Sequence, residues 1–270
     1  EWDREKLAGK IVLILFFEHS TRTLTSFDFA AKRLGAHVVN WNPETSSLSK
    51  GESFLDTIRT FNAMEPDAII IRHHEYGAPK FVASHVDCPV INGGDSWRAH
   101  PTQALLDALT IRQHFGKLDG LNISIIGDIA HSRVASSNIV LLTKMGAKVS
   151  VIAPEVLMPQ KFSVEGIAQF TDLKEGLNDA DVVMTIRPQK ERMDHVLIND
   201  DAYFRDYGLT FDKLKHASKD AIVLDPGPFL RGVQIDDDLA DDRSRFLYDK
   251  QVANGIPTRM AVLDLLMSDA

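Results

Sequence analysis

The chain has 270 residues, 44% of them hydrophobic and 25% charged, with a formal net charge of −8. That length allows one large α/β domain or two of ordinary size, and the composition is that of a soluble globular protein. The negative balance argues against general nucleic-acid binding, no apolar run reaches the length of a membrane span, and the single cysteine, Cys88, excludes an internal disulfide and any multi-cysteine metal site. One cysteine fits a reducing, cytoplasmic setting, and the opening Glu-Trp-Asp-Arg-Glu-Lys does not read as a signal peptide. An anion site in so acidic a chain must be built from locally gathered Arg and Lys.

Apolar runs predict strands over 10–17, 37–40, 68–72, 90–92, 122–126, 148–152, 181–185 and 221–224. Helical patterns lie between them, at 54–64, 103–115, 136–145 and 173–180 among others, with a loop over 199–214. Strands alternating with helices read as parallel βαβ units, so the fold class is α/β, two Rossmann-like lobes with a cleft between them. A glycine turn at 116–120 marks the boundary, giving a first domain over 1–115 and a second over 116–252. After a turn at Asn254-Gly255 and Pro257 the tail is helical over 256–268, and the segment 253–270 is expected to return to the first domain.

The functional residues sit where strands end. Ser20-Thr21-Arg22-Thr23 stands between the first strand and a helix-like Ser26-Phe27-Asp28-Phe29. A helix N-terminus offers unpaired N–H groups and the positive end of the macrodipole, and these hydroxyls and this guanidinium add donors for a phosphate. Capping is the ordinary alternative for Ser and Thr there. Ser46 and Lys50 lie in a polar segment with Gly51 that suits a mobile loop able to bring Lys50 to an anion, or a plain solvated one. Arg72 ends a strand ahead of His73 and His74, whose adjacent positions point to opposite faces and so disfavour a shared metal. His100 precedes Pro101 at a helix start, where a neutral imidazole donating to a carbonyl oxygen is favoured over a charged one; simple capping is the alternative. Gln103 adds an amide with both donor and acceptor.

In the second half, Gly127-Asp128 leads to His131-Ser132-Arg133, without the GxGxxG spacing of a dinucleotide site. Arg187 and Gln189 follow another strand, and Asp225-Pro226-Gly227-Pro228 forms a stiff loop whose carbonyls can accept from an NH₂ group. Cations and amides with no nucleophile, no acid/base carboxylate pair and no metal spacing point to catalysis by positioning and charge neutralisation. The substrates should be small, multiply anionic and amide-bearing.

With Phe17-Glu18-x-Ser20-Thr21-Arg22-Thr23, Ser26-Phe27 and His100-Pro101-Thr102-Gln103 in hand, the chain resembles the carbamoyltransferases over essentially its whole length. Lys50-Gly51-Glu52 and Arg187-Pro188-Gln189 resemble the aspartate branch, and Asp225-Pro226-Gly227-Pro228 stands where the ornithine branch usually carries His-Cys-Leu-Pro. The resemblance implies carbamoyl transfer from carbamoyl phosphate to L-aspartate, in pyrimidine biosynthesis, with no cofactor and no metal. It implies that Ser20, Thr21, Arg22, Thr23 and Arg72 hold the phosphate, and that Thr23, Arg72 and His100 polarise the carbonyl. Gln103 and the carbonyls of Gly227 and Pro228 would hold the carbamoyl NH₂. Arg133 would take the α-carboxylate of aspartate and Arg187 its side-chain carboxylate, with Gln189 assisting and Glu191 steadying Arg187. Ser46 and Lys50 would reach the neighbouring subunit's site in a homotrimer, to which a regulatory chain or a dihydroorotase could bind.

His19, Leu24, Asp225 and Leu230 depart from the family's usual residues at positions that are not direct ligands, so tuning is expected there. The family's N-terminal helix, which packs on the C-terminal one, has little room ahead of the first strand, which implies a truncated, less stable chain. The alternatives are a carbamoyltransferase for another amine, a non-catalytic assembly subunit and a nucleotide-binding regulator. Arg187 with Gln189 favours a dicarboxylate acceptor, the retained ligands disfavour the second, and the missing glycine fingerprint disfavours the third.

Overall fold

The computed structural model describes residues 2–192 and 198–268, apart from the side chains of Ser47, Ser49 and Glu191. Two compact units are present, Glu1–Thr102 with Ala253–Ala270, and Gln103–Val252. The changeover falls in the first turn of a helix, ahead of the 116–120 turn, because Ala108 and Ile111 of that helix pack in the second unit's core with Leu118, Leu121 and Ile123.

The first unit contains β1 (Ile11–Phe16), α1 (Thr21–Arg33), β2 (His37–Trp41), α2 (Phe54–Asn62), β3 (Ala68–His73), α3 (Ala78–Ala83) and β4 (Val90–Asp95), and leads into α4 (Pro101–Phe115). Its strands form one parallel sheet in the order β2-β1-β3-β4. Period-two alternation sends Val12, Ile14, Phe16 and Ile70 to one face, onto Phe27, Ala30 and Ala31 of α1. Leu13, Leu15, Ile69 and Ile71 face the other way, onto Ile58 of α2 and Val82 of α3.

The second unit adds β5 (Asn122–Gly127), α5 (Arg133–Lys144), β6 (Lys148–Ile152), β7 (Ala168–Phe170), α6 (Leu173–Leu177), β8 (Val182–Ile186), α7 (Asp200–Tyr207), α8 (Phe211–Leu214), β9 (Ile222–Leu224) and α9 (Asp237–Asp241). Its sheet is parallel too, ordered β7-β6-β5-β8-β9. Val182 and Met184 of β8 pack with α5 through Ile139 and Leu142. Val183, between them, packs the opposite way against Leu177 and Leu239. Gly127 ends β5 at φ +132°, and a Cβ there would collide with the carbonyl of Ile186. The glycine thus serves the close approach of β5 to β8, not a dinucleotide.

Three expectations change. The turn at Asn254-Gly255-Pro257 is absent, since α10 (Tyr248–Met267) runs unbroken through all three. Pro257 forgoes one ladder bond, but Asn254, Thr258 and Arg259 are buried around it, and Arg259 Nη1 donates to the Gly255 carbonyl at 3.2 Å. Packing outweighs a local penalty of about 3 kcal/mol. The loop over 199–214 folds largely as α7 and α8, with Asn199 capping α7 and Thr210 capping α8. The elements α3, β7 and α9 were not expected; each has three to six residues, too few for a periodic pattern.

Within the first unit, α10 is anchored to α1 by Met260 and Leu263 and by the Arg259 guanidinium, 4.9 Å from the centre of the Phe27 ring. Phe27 is fully buried. Phe27→Ala is therefore expected to destabilise this unit by about 3–5 kcal/mol, seen as a lower urea midpoint for its unfolding transition.

Candidate active site

In the first unit, the site grows from the N-terminus of α1. Ser20 is its N-cap, with extended backbone, yet its hydroxyl makes no capping hydrogen bond, and no acidic residue occupies the first turn. The early N–H groups are thus left for another acceptor. Arg22 stands in that turn without an ion-pair partner among the described residues. Thr23, one position on, is buried, and its Oγ1 lies 3.2 Å from Nε2 of His100, which is itself buried just ahead of Pro101. His100 is placed by a loop closed on itself: Asp95 N–H donates to the Ala99 carbonyl at 2.8 Å, and Ala99 N–H returns to Asp95 at 3.1 Å.

Arg72 reaches the same strand ends from β3. A register shift after Ile71 pairs Arg72 with Gly94 and skips Gly93, whose carbonyl accepts from Arg72 Nη1 at 3.5 Å. Glu18 holds the other side, its Oε2 at 3.3 Å from Arg72 Nε, with both side chains mostly buried. Ser46 and Lys50 lie on the turns between β2 and α2. Ser46 donates to the Pro43 carbonyl at 2.6 Å, and Lys50 is exposed, with no ion-pair partner among the described residues. His73 and His74 stack, ring centres 4.4 Å apart, and His73 accepts from Glu75 N–H at Nδ1. Burial, then the charge of His74, pushes the His73 imidazole below its usual range.

In the second unit, the β5 and β8 ends are tied together by Asp128, which is fully buried. Its carboxylate accepts from His131 Nδ1 at 2.8 Å and N–H at 3.1 Å, and from Gln189 N–H at 2.9 Å. Arg192 Nη1 adds a bond to the His131 carbonyl at 2.9 Å. Arg133 is buried at the start of α5, whose cap Ser132 accepts from Ala135 N–H at 3.1 Å, so this helix start is closed where that of α1 is open. Arg187 Nη1 donates to the Pro188 carbonyl at 3.1 Å, and Gln189 Nε2 donates to the Arg187 carbonyl at 3.0 Å. The side chain of Glu191 lies outside the described residues. After β9, Asp225 is buried and accepts from Thr185 Oγ1 at 2.7 Å, Gln234 Nε2 at 3.0 Å and Gly227 N–H at 2.7 Å, which shapes the loop carrying Gly227 and Pro228. Gln103 is also in this unit, donating from Nε2 to Asp107 at 2.9 Å.

A catalytic-subunit sequence named aspartate carbamoyltransferase, from Acidiphilium cryptum, is 52% identical over 99% of this chain and 86% of its own length. The family domains described as "Aspartate/ornithine carbamoyltransferase, carbamoyl-P binding domain" and "Asp/Orn binding domain" match residues 1–113 and 119–266. The chain belongs to the aspartate/ornithine carbamoyltransferase family. Among solved structures, aspartate transcarbamoylase from Trypanosoma cruzi in complex with carbamoyl aspartate and phosphate matches with TM-score 0.86 and 35% identity, over 97% of this chain and 84% of that one. Ornithine carbamoyltransferase from Pyrococcus furiosus matches with TM-score 0.88 and 30% identity, over 99% and 87%.

Within this carbamoyltransferase chain, sequence reasoning passed over the carboxylates behind the cations and amides. Asp107 had a usable signal, since it stands four residues after Gln103 on one helix face. Asp128 and Gln251 had none, because their partners are distant in sequence. Asp107 accepts from Gln103, Gln251 and Asn138, all through amide nitrogens. Burial dominates its titration and lifts the carboxyl to about 6, against the pull of the three amides. The native state thus binds this proton more tightly than the unfolded chain. This group's contribution to stability is complete below about pH 4 and is lost as pH rises through about 6, by about 3 kcal/mol in all. Urea midpoints measured across that window are expected to decline less steeply in Asp107→Asn than in the parent.

Proposed function

We propose that this chain transfers the carbamoyl group of carbamoyl phosphate to the amine of L-aspartate, giving N-carbamoyl-L-aspartate and phosphate for pyrimidine biosynthesis. The observation that carries the reading is the uncapped α1 N-terminus with Arg22 in its first turn and the buried Thr23–His100 pair beside it. Ser20, Thr21, Arg22, Thr23 and Arg72 take the phosphate. Thr23, Arg72 and His100 take the carbonyl oxygen, and Gln103 with the carbonyls of Gly227 and Pro228 takes the NH₂. Arg133 and Arg187, with Gln189, take the two carboxylates of aspartate.

The uncharged amine attacks the carbamoyl carbon, a C–N bond forms, and the carbonyl oxygen becomes an oxyanion held by Thr23, Arg72 and His100. The bond from that carbon to the phosphate oxygen then breaks. The departing phosphate accepts the amine's proton, so no protein base is needed. Orienting two bound reactants is worth about 7–11 kcal/mol, and each oxyanion donor roughly 10²–10³ in rate.

The working form is a homotrimer in the cytoplasm, in which Ser46 and Lys50 complete a neighbour's site, with a regulatory chain or a dihydroorotase as further partners. The exposed position of Lys50 and the lone cysteine support that reading.

Product assays with L-aspartate, and with L-ornithine as the control amine, test the reaction; product from ornithine and none from aspartate would overturn the acceptor. Arg187→Ala is expected to raise the KM for aspartate by roughly 10²-fold, the loss of one charged hydrogen-bonding partner. Normal saturation by aspartate would remove Arg187 from the acceptor site. Mixing Lys50→Ala with His100→Ala subunits, each inactive alone, is expected to restore part of the activity, because some shared sites regain both residues. No recovery in verified mixed trimers would confine each site to one chain.

A further inference from the structure

Four hydrogen bonds form one path through the second unit. Gln103 Nε2 donates to Asp107 Oδ1 at 2.9 Å, and Gln251 Nε2 donates to the same oxygen at 2.6 Å. The oxygen of the Gln251 amide then accepts from Asp225 N–H at 3.0 Å, and Asp225 Oδ1 accepts from Gly227 N–H at 2.7 Å. Neither Asp107 nor Gln251 has a part in the chemistry above. Yet the path begins at one group assigned to the carbamoyl NH₂ and ends at the other.

We infer that Asp107 is a positioning residue that makes both of these elements present oxygen, and not nitrogen, to the substrate's NH₂; this rests on the roles proposed above for Gln103 and the Gly227–Pro228 carbonyls. An ionised carboxylate only accepts, so every amide touching it must turn its NH₂ inward. Gln103 is left with its oxygen to offer. Gln251, turned the same way, offers its oxygen to Asp225, whose carboxylate in turn occupies the Gly227 N–H. Pro228 has no N–H, so the stretch retains only carbonyls. Asp107 is fully buried and its second oxygen takes Asn138 Nδ2 at 2.8 Å, so water has no access to relax the arrangement. Burial raises the Asp107 carboxyl only to about 6, which leaves it ionised at neutral pH.

A site offering acceptors alone selects a carbamoyl group over an acetyl group, because a methyl would leave those oxygens unpaired. The chemistry assigned to Asp107 is therefore discrimination between two acyl phosphates of almost equal shape.

The test measures the KM for carbamoyl phosphate, and the inhibition constants of acetyl phosphate and inorganic phosphate, in the full chain. Asp107→Asn is nearly isosteric but can donate, so it frees the Gln103 amide to flip. The expected result is a rise of about 10–100-fold in the carbamoyl phosphate KM, with the two inhibitors almost unchanged. Equal weakening of all three ligands, or no change in any, would overturn the inference. Gln103→Ala separates it from its premise. If that variant keeps full discrimination, the role of Gln103 itself fails; if discrimination collapses there and persists in Asp107→Asn, only the role of Asp107 fails. Should Asp107→Asn not fold, Gln251→Met decides the matter, since cutting the path there is expected to reduce discrimination, and discrimination retained would overturn the inference.

Discussion

Every pairing in both sheets is parallel, and parallel strands bring their carboxyl ends to one edge of a sheet. That constraint assembles the chemistry within each unit. In the first, Ser20 follows β1, Arg72 lies near the end of β3, and the loop after β4 delivers His100. In the second, Asp128 follows β5, Arg187 follows β8 and Asp225 follows β9. Residues far apart in sequence become neighbours because their strands do.

Buried carboxylates then hold what the edges deliver. Glu18 steadies Arg72, Asp128 fixes the backbone of Gln189, Asp107 turns the Gln103 amide, and Asp225 takes the Gly227 N–H. A carboxylate accepts and cannot donate, so each one settles the direction of the group it touches. A side chain fixed before the ligand arrives has less reorganisation left to do. This accounts for an acidic protein whose proposed ligands are anions. The negative charge inside each unit is tied to backbone and side-chain donors, and Arg22 has no such carboxylate beside it among the described residues.

The solved structures most like this chain include both an aspartate and an ornithine enzyme, with TM-scores of 0.86 and 0.88. Backbone shape therefore does not separate the two acceptors. The few side chains after β8 do: an Arg and an amide suit a dicarboxylate and would repel a cationic acceptor. Fold and specificity are thus carried by different parts of the chain.

The strands, their parallel order and the cluster Ser20–Thr23, Arg72, His100, Arg133 and Arg187 are legible in the sequence, because apolar runs and strand-end polar residues are local patterns. So is the start of α4, which Pro101 marks. The unbroken course of α10 through Pro257 is not legible, since the local signal is a break and only burial of Asn254, Thr258 and Arg259 outweighs it. Nor is the open cap of α1: Ser20 looks like any capping serine until its hydroxyl is seen to make no capping bond. The sequence by itself determined which residue types follow which strand. Only the tertiary structure decided which carboxylate meets which amide, because hydrogen bonds such as Gln251 to Asp107 join residues that no local pattern connects.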